Sequence, residues 1–183
     1  MTARPHSSDA RGRGARKRDG TTFSGSAGAA LVWRSAREED HPAVLAAVGR
    51  WWDDDRGAEL GSLLPRLFFQ HFGSTSVVVH EDDTLVAFLV GFPSPSHDDH
   101  AYVHFVGIDP ARRGTGLGRA LYEWFFDLVR DHGRTTVHAV TGVSNTRSQD
   151  FHRHLGFSLS GPLRDYDGPG LDRIAMTTVL SGG

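Results

Sequence analysis

A chain of 183 residues, 38 % of them hydrophobic, has the material for one ordinary core and one domain. It contains no cysteine, which excludes disulfide staples, thiolate metal sites and a cysteine nucleophile and suits a reducing cytoplasm. No run approaches the roughly 18 apolar residues of a membrane span, and no apolar segment at the N-terminus reads as a secretory signal, so no membrane partner is expected.

The net charge of −2 divides unevenly. Residues 1–30 carry +4, with Arg4, Arg11, Arg13, Arg16, Lys17 and Arg18 against Asp9 and Asp19, and the remainder carries −6. The first segment is also rich in Gly, Ser, Thr and Ala, too poor in apolar side chains to offset its ordering entropy. It reads as a disordered basic tail over 1–30, followed by a single domain over 31–183. Basic runs this short are usually solvated, and an acidic body argues against a DNA-binding domain, so a nucleic-acid partner is not expected. The acidity favours a cationic substrate.

Leu31–Arg34 reads as a first strand. Asp40 stands where an N-cap belongs, Pro42 fits the first turn, and Val44, Leu45, Val48, Trp51 and Trp52 recur at helical spacing. A second helix is expected over Ala58–Phe72, kinked or restarted at Pro65. Ser76–His80 and Leu85–Phe92, joined by Glu81-Asp-Asp-Thr84, predict a hairpin. His100–Ile108 reads as the next strand, and Gly116–Asp131 as a helix with Leu117, Leu121, Trp124, Phe125 and Leu128 on one face. Thr135–Thr141 is β-branched and strand-like, and Asn145–Leu155 is a short helix closed by Gly156. Phe157–Leu159 and Leu171–Leu180 are late strands separated by Asp165-Tyr-Asp-Gly-Pro-Gly170. The hairpin excludes a purely doubly wound sheet, so the fold class is mixed α/β, of α+β character.

Arg112-Arg-Gly-Thr-Gly-Leu-Gly-Arg119 lies between a strand and a helix. Glycines admit an anion to backbone N–H groups, and the helix N-terminus adds partial positive charge, so the segment predicts a phosphate or pyrophosphate site. A Walker A loop needs Gly-Lys followed by Ser or Thr, whereas Gly118 is followed by Arg119. A dinucleotide fold needs G-x-G-x-x-G directly after its strand. Here the third glycine comes one residue early, and Asp109-Pro-Ala-Arg-Arg113 intervenes. The pattern R-x-x-G-x-G, read as Arg113, Gly116 and Gly118, has both its spacing and its preceding strand.

At this point the chain resembles the GNAT superfamily of N-acetyltransferases. The resemblance rests on Val106-Gly-Ile-Asp-Pro110 followed by Arg113-Gly-Thr-Gly-Leu-Gly118 and a helix. It rests also on Asn145-Thr-Arg-Ser-Gln-Asp-Phe-His-Arg-His-Leu-Gly-Phe157. The two blocks come in the family's order and bring the chain from about Leu31 to Leu180 under it. Leu64–Phe72, Ala101–Gly107 and Asp165–Gly170 look like a bacterial subgroup of undefined substrate. The resemblance implies a central, mostly antiparallel sheet flanked by helices, with splayed fourth and fifth strands, His100–Ile108 and Thr135–Thr141. It implies acetyl-CoA as co-substrate, the pantetheine arm lying between those strands against the backbone of Val106, Gly107 and Ile108. The pyrophosphate would lie on Arg113, Gly114, Thr115, Gly116, Leu117, Gly118 and Arg119, with Asn145 near the thiol. No metal is implied.

The family often carries a tyrosine acid three residues before the leucine of Leu-Gly-Phe, and here that position is His152. An imidazole can donate a proton, so His152 is the candidate acid, against the alternative of a partly buried helix histidine bonded to a carbonyl. For the base, the glutamate common near the start of the fourth strand is missing. His100 and His104, on one face of their strand with Tyr102, are the candidates; His97, His100 and His104 do not read as a metal site on a strand. The first two helices and Asp165–Gly170 are expected to build the acceptor site, where Asp53, Asp54, Asp55, Asp165 and Asp167 either collect a cationic amine or are solvated turn residues. Trp51, Trp52, Phe68 and Phe69 read as core or interface, and an exposed Trp51 or Trp52 leaves room for a homodimer.

The expected activity is direct transfer of acetyl from acetyl-CoA to the primary amine of a small molecule or peptide. The alternative is a non-catalytic acyl-CoA-binding regulatory module.

Overall fold

The computed structural model describes residues 22–23, 30–52 and 54–181, without the side chains of 22–23, 54–56 and 58. Of the expected basic tail, Thr22–Phe23 forms a two-residue strand, β1, against the start of β2 (Leu31–Ser35). The tail's basic residues lie outside the described residues, as does Asp53.

Helix α1 spans His41–Trp51 with Pro42 in its first turn. Asp40 precedes it, yet its carboxylate does not cap it. That group is drawn 2.6 Å from Arg34 and accepts the Arg37 backbone N–H instead, since a bidentate guanidinium is the stronger partner. The second helical stretch is divided at Pro65 into α2 (Asp54–Ser62) and α3 (Leu67–His71). Proline there lacks the N–H that would continue the ladder. Two histidines approach carbonyls beside the break: His41 Nε2 lies 2.9 Å from Leu64 O, and His104 Nε2 lies 2.6 Å from Leu63 O.

Strands β3 (Val77–Glu81) and β4 (Thr84–Pro93) are joined through Asp82 and Asp83, both at positive φ, as a tight hairpin requires. Then follow β5 (His100–Ile108), α4 (Leu117–Asp131), β6 (Thr136–Gly142), α5 (Thr146–His154), β7 (Ser158–Leu163) and β8 (Arg173–Val179). The sheet order is β1-β2-β3-β4-β5-β6-β8-β7, antiparallel throughout except for β5 beside β6. Mixed α/β architecture and a mostly antiparallel central sheet are therefore as expected.

Both faces of the sheet are covered. Val78, Phe88 and Val90 pack with Val44, Val48, Leu64 and Phe69 from α1–α3 and the turn before α3. Val77, Val79, Ala87 and Leu89 pack with Leu121, Tyr122 and Phe125 of α4 on the other side. That double cover is why β4 is buried almost without interruption rather than alternating. Trp51 and Phe69 lie in the core, with Trp52 and Phe68 packed against it, so these four rings serve packing.

Two departures from regular pairing shape the centre. Val90 pairs with Phe105 but Gly91 pairs with Val103, which makes His104 the extra residue of a bulge in β5. His104 stacks on Phe68 at 4.1 Å and Phe105 on Phe88 at 5.8 Å, so neighbouring side chains serve the same face. The parallel pairing of β5 with β6 covers His100↔Thr136 to Tyr102↔His138 and stops there. Beyond it the strands part, as the splay of the fourth and fifth strands counted from Leu31 requires.

Candidate active site

The Arg112–Arg119 loop turns from β5 into α4 through two glycines in the left-handed region, Gly114 at φ 79° and Gly116 at φ 88°. Gly116 is the residue before the helix, and Ala120 N–H already bonds back to its carbonyl. A Cβ added at either glycine would meet nothing within 4 Å. The glycines therefore answer a need for backbone shape and for approach from outside, not for internal packing. Gly118 differs: its Cβ would come within 3.0 Å of Ile108 and Phe151, so it lets α4 lie close on β5 and α5. Leu117 is buried and anchors the first turn, whose N–H groups end a 15-residue helix dipole.

The guanidinium groups near the loop are engaged with protein. Arg112 bonds Glu81, and Arg119 donates to His154 O at 2.9 Å, the C-terminal end of α5. Arg113 donates to Ile108 O at 3.1 Å and Trp51 O at 3.0 Å and lies over the Trp52 ring, which ties the end of β5 to the end of α1. Thr115 Oγ donates to Arg112 O at 2.8 Å. What the loop offers an anion is thus mainly backbone N–H. Val106, Gly107 and Ile108 stand on the part of β5 that has left β6, and Gly107 is pressed on Phe88, which a Cβ there would meet at 2.3 Å.

Asn145 begins α5 and its side-chain oxygen accepts the Ser148 N–H at 3.2 Å. One and two turns on, His152 is 6 % exposed. Its Nδ1–H donates to Ser148 O at 2.7 Å, which leaves Nε2 a lone pair, and Tyr122 Oη donates to it at 2.6 Å. Burial pushes the His152 pKa down, opposed by the bond to the Ser148 carbonyl, and burial pushes the Tyr122 pKa up. Both nitrogens of His152 are committed inside the core.

His104 is placed by the bulge against Phe68 with Nε2–H donated to Leu63 O, and burial lowers its pKa. His100 goes elsewhere: its ring lies 4.8 Å from His97 and 4.5 Å from His138, with Nε2 3.6 Å from Asp99. These three imidazoles line a cavity of about 310 Å³ beside the point where β5 and β6 part, together with Phe92, Tyr102, Leu163 and Tyr166. Burial and then the neighbouring His100 and His97 lower the pKa of His138, whose Nδ1 lies 3.1 Å from Thr177 Oγ. Burial and Tyr166 raise that of Tyr102.

The late loop reaches this cavity through Tyr166, whereas the described residues of α1 and α2 do not line it. Asp165 is spent on the Gly170 N–H and Asp167 on Arg173, because the loop needs them to hold its own turns. His138 escaped the sequence reading. The signal lay in alternation along β6, but only the register with β5 brings it to His100. Among the described residues no group of three or more His, Asp or Glu is arranged to hold a metal ion.

Residues 45–157 match the family model described as Acetyltransferase (GNAT) family. Over 82 residues the chain is 33 % identical to the L-2,4-diaminobutyric acid acetyltransferase of Nocardia farcinica, covering 45 % of this chain and 42 % of that one. Over 107 residues it is 36 % identical to the mycothiol acetyltransferase of Rhodococcus erythropolis, covering 57 % and 34 %. The matched stretch spans about half or less of the length of these curated relatives. A diaminobutyrate acetyltransferase from Paenibacillus lautus, solved with L-2,4-diaminobutyric acid and coenzyme A, superposes with a TM-score of 0.63 at 16 % identity, over 83 % of this chain and 95 % of that one. The glycine loop at the head of α4, the parted strands and the match over residues 45–157 agree: the chain belongs to the acetyltransferase (GNAT) family.

Proposed function

We propose that the protein transfers an acetyl group from acetyl-CoA to the primary amine of a small molecule in a ternary complex. The observation that carries this reading is the parting of β5 from β6 beyond Tyr102, directly before a left-handed glycine turn at a helix N-terminus. A strand edge freed over Val106–Ile108 suits the amides of a pantetheine arm, and the room above Gly114 and Gly116 suits its pyrophosphate. Family membership and the names of the relatives support the chemistry. Asn145, at the head of α5, follows the end of β6 by three residues, which suits a place near the thiol.

The co-substrate supplies an activated acetyl thioester. The amine nitrogen bonds to the carbonyl carbon, the carbon–sulfur bond breaks, one amine proton goes to a base, and the thiolate takes up a proton. We assign the base to His100, which lines the cavity, rather than to His104, whose Nε2–H is held by Leu63 and whose ring is stacked on Phe68. For the proton returned to sulfur we keep His152, at the family's acid position, on one condition. Its Nε2, whose lone pair accepts from Tyr122, is released and first takes up a proton that it can then pass to the thiolate. We place this reaction in the cytoplasm, where acetyl-CoA is available, and in a bacterium, the kind of organism from which the named relatives come.

The test is release of free thiol from acetyl-CoA, followed with and without a panel of amines. Amine-dependent release is the expected result. Acetyl-CoA that raises the melting temperature while no amine on a broad panel releases thiol would point to a binding module instead. The variant His152→Phe is expected to lower kcat by about tenfold or more with acetyl-CoA affinity kept. An unchanged rate would remove His152 from the proton route.

A further inference from the structure

The cavity beside the parted strands carries information about the acceptor. Its described lining holds no Asp, Glu, Lys or Arg. That lining includes the rings of Phe92, Tyr102 and Tyr166, the imidazoles of His97, His100 and His138, and small or aliphatic residues. Its other side-chain polar group is Ser94, whose hydroxyl oxygen accepts the Ser96 and His97 N–H groups. The charged pair that bears on Tyr102, Asp167 and Arg173, is closed on itself at 2.5 Å. A molecule seated here finds aromatic faces for a flat body and for a cation, and imidazole nitrogens for an amine. Among the described lining residues it finds no guanidinium or ammonium for a carboxylate, and a carboxylate that loses water there without a partner is costly.

Size gives a second limit. At about 310 Å³ the cavity is at the small end of ligand sites. It has the volume of about ten waters, hence room for about ten non-hydrogen atoms of the part of an acceptor seated within this open cleft. A peptide exceeds that unless it enters by its tip alone.

Resting on the acetyl-transfer reading above, we propose that the acceptor is a small arylalkylamine: one primary amine on a short chain, one aromatic ring, and no carboxylate. In the bound state the ring lies among Phe92, Tyr102 and Tyr166. The amine points to His100, which takes its proton as the nitrogen–carbon bond forms and the carbon–sulfur bond breaks. This sets the chain apart from the relative named for diaminobutyric acid, whose substrate carries a carboxylate and a second amine.

The test compares 2-phenylethylamine, phenylalanine and 2,4-diaminobutyric acid as acceptors at saturating acetyl-CoA. The first is expected to have the highest kcat/KM, by about tenfold or more. Equal or higher kcat/KM for either amino acid would overturn the proposal. Tyr166→Ala, at a half-exposed loop position, is expected to raise KM for 2-phenylethylamine about fivefold, with KM for acetyl-CoA unchanged and Tyr166→Phe close to the parent. An unaltered KM in Tyr166→Ala would also overturn it. Should no acceptor release thiol, the acetyl-transfer reading fails, and equilibrium dialysis then decides the cavity by itself. Saturable uptake of 2-phenylethylamine but not diaminobutyric acid supports the proposal; uptake of neither, or the reverse order, overturns it.

Discussion

At the scale of single residues, histidines do several kinds of work that their letter does not separate. His41 and His104 meet carbonyls freed beside Pro65, His152 is locked between Ser148 and Tyr122, and His100 faces a cavity. Sequence reasoning found His100, His104 and His152 as candidates from position, and the bond of His152 to a carbonyl of its own helix was one of the alternatives it offered. But Leu63 for His104 and Tyr122 for His152 lie 41 and 30 residues away, where local pattern is silent. Four histidines, His80, His104, His138 and His152, have pKa values lowered chiefly by burial. The unfolded chain binds those protons near pH 6.5, while the folded chain refuses them until lower pH. Their contribution to stability is therefore fully present above about pH 6.5 and is lost as pH falls below it. Denaturant midpoints are expected to drop between pH 7.5 and 5.5; equal midpoints would contradict this. Tyr122→Phe removes the donor to His152 and is expected to cost about 1–3 kcal/mol in chemical denaturation.

At the scale of elements, most helices and strands were legible because amphipathic period and turn residues agree locally. The glycine loop was legible for the same reason: a run of three alternating glycines before an apolar helix has few other uses. The bulge at His104 was not, since it is defined by what β4 opposes, and alternation along β5 alone predicts an unbroken strand. Arg113 likewise fits an anion-binding pattern by spacing, yet its side chain is turned to α1 by two carbonyls and an indole ring. Close approach at Gly107 can be tested by itself. Its Cβ would lie 2.3 Å from Phe88, a ring held between Trp51 and Phe105 with no exposure. Gly107→Ala is expected to destabilise the fold by about 1–3 kcal/mol, read from urea midpoints, with a matching loss of acetyl-CoA affinity. Full stability in that variant would contradict the packing described.

At the scale of the whole molecule, two helical layers hold one sheet whose central strands part on the side of the glycine turn. Neither layer alone makes the site: α4 and α5 bring the helix ends, while the cavity opens among β4, β5, β6 and the late loop. The order of elements made this architecture legible, whereas the cavity's chemistry depends on the β5–β6 and β6–β8 registers, which join segments distant in sequence. The central claim is that acetyl-CoA sits with its pyrophosphate on the turn at Gly116. Calorimetric titration of acetyl-CoA into the parent, Gly116→Asn and Gly116→Glu tests it most directly. Asparagine tolerates the left-handed conformation and adds no charge, so it controls for strain. Saturable binding is expected in the parent, largely retained with asparagine and weakened at least about tenfold with glutamate, which sets a like charge against the phosphates. Equal affinity for the parent and Gly116→Glu would contradict the account.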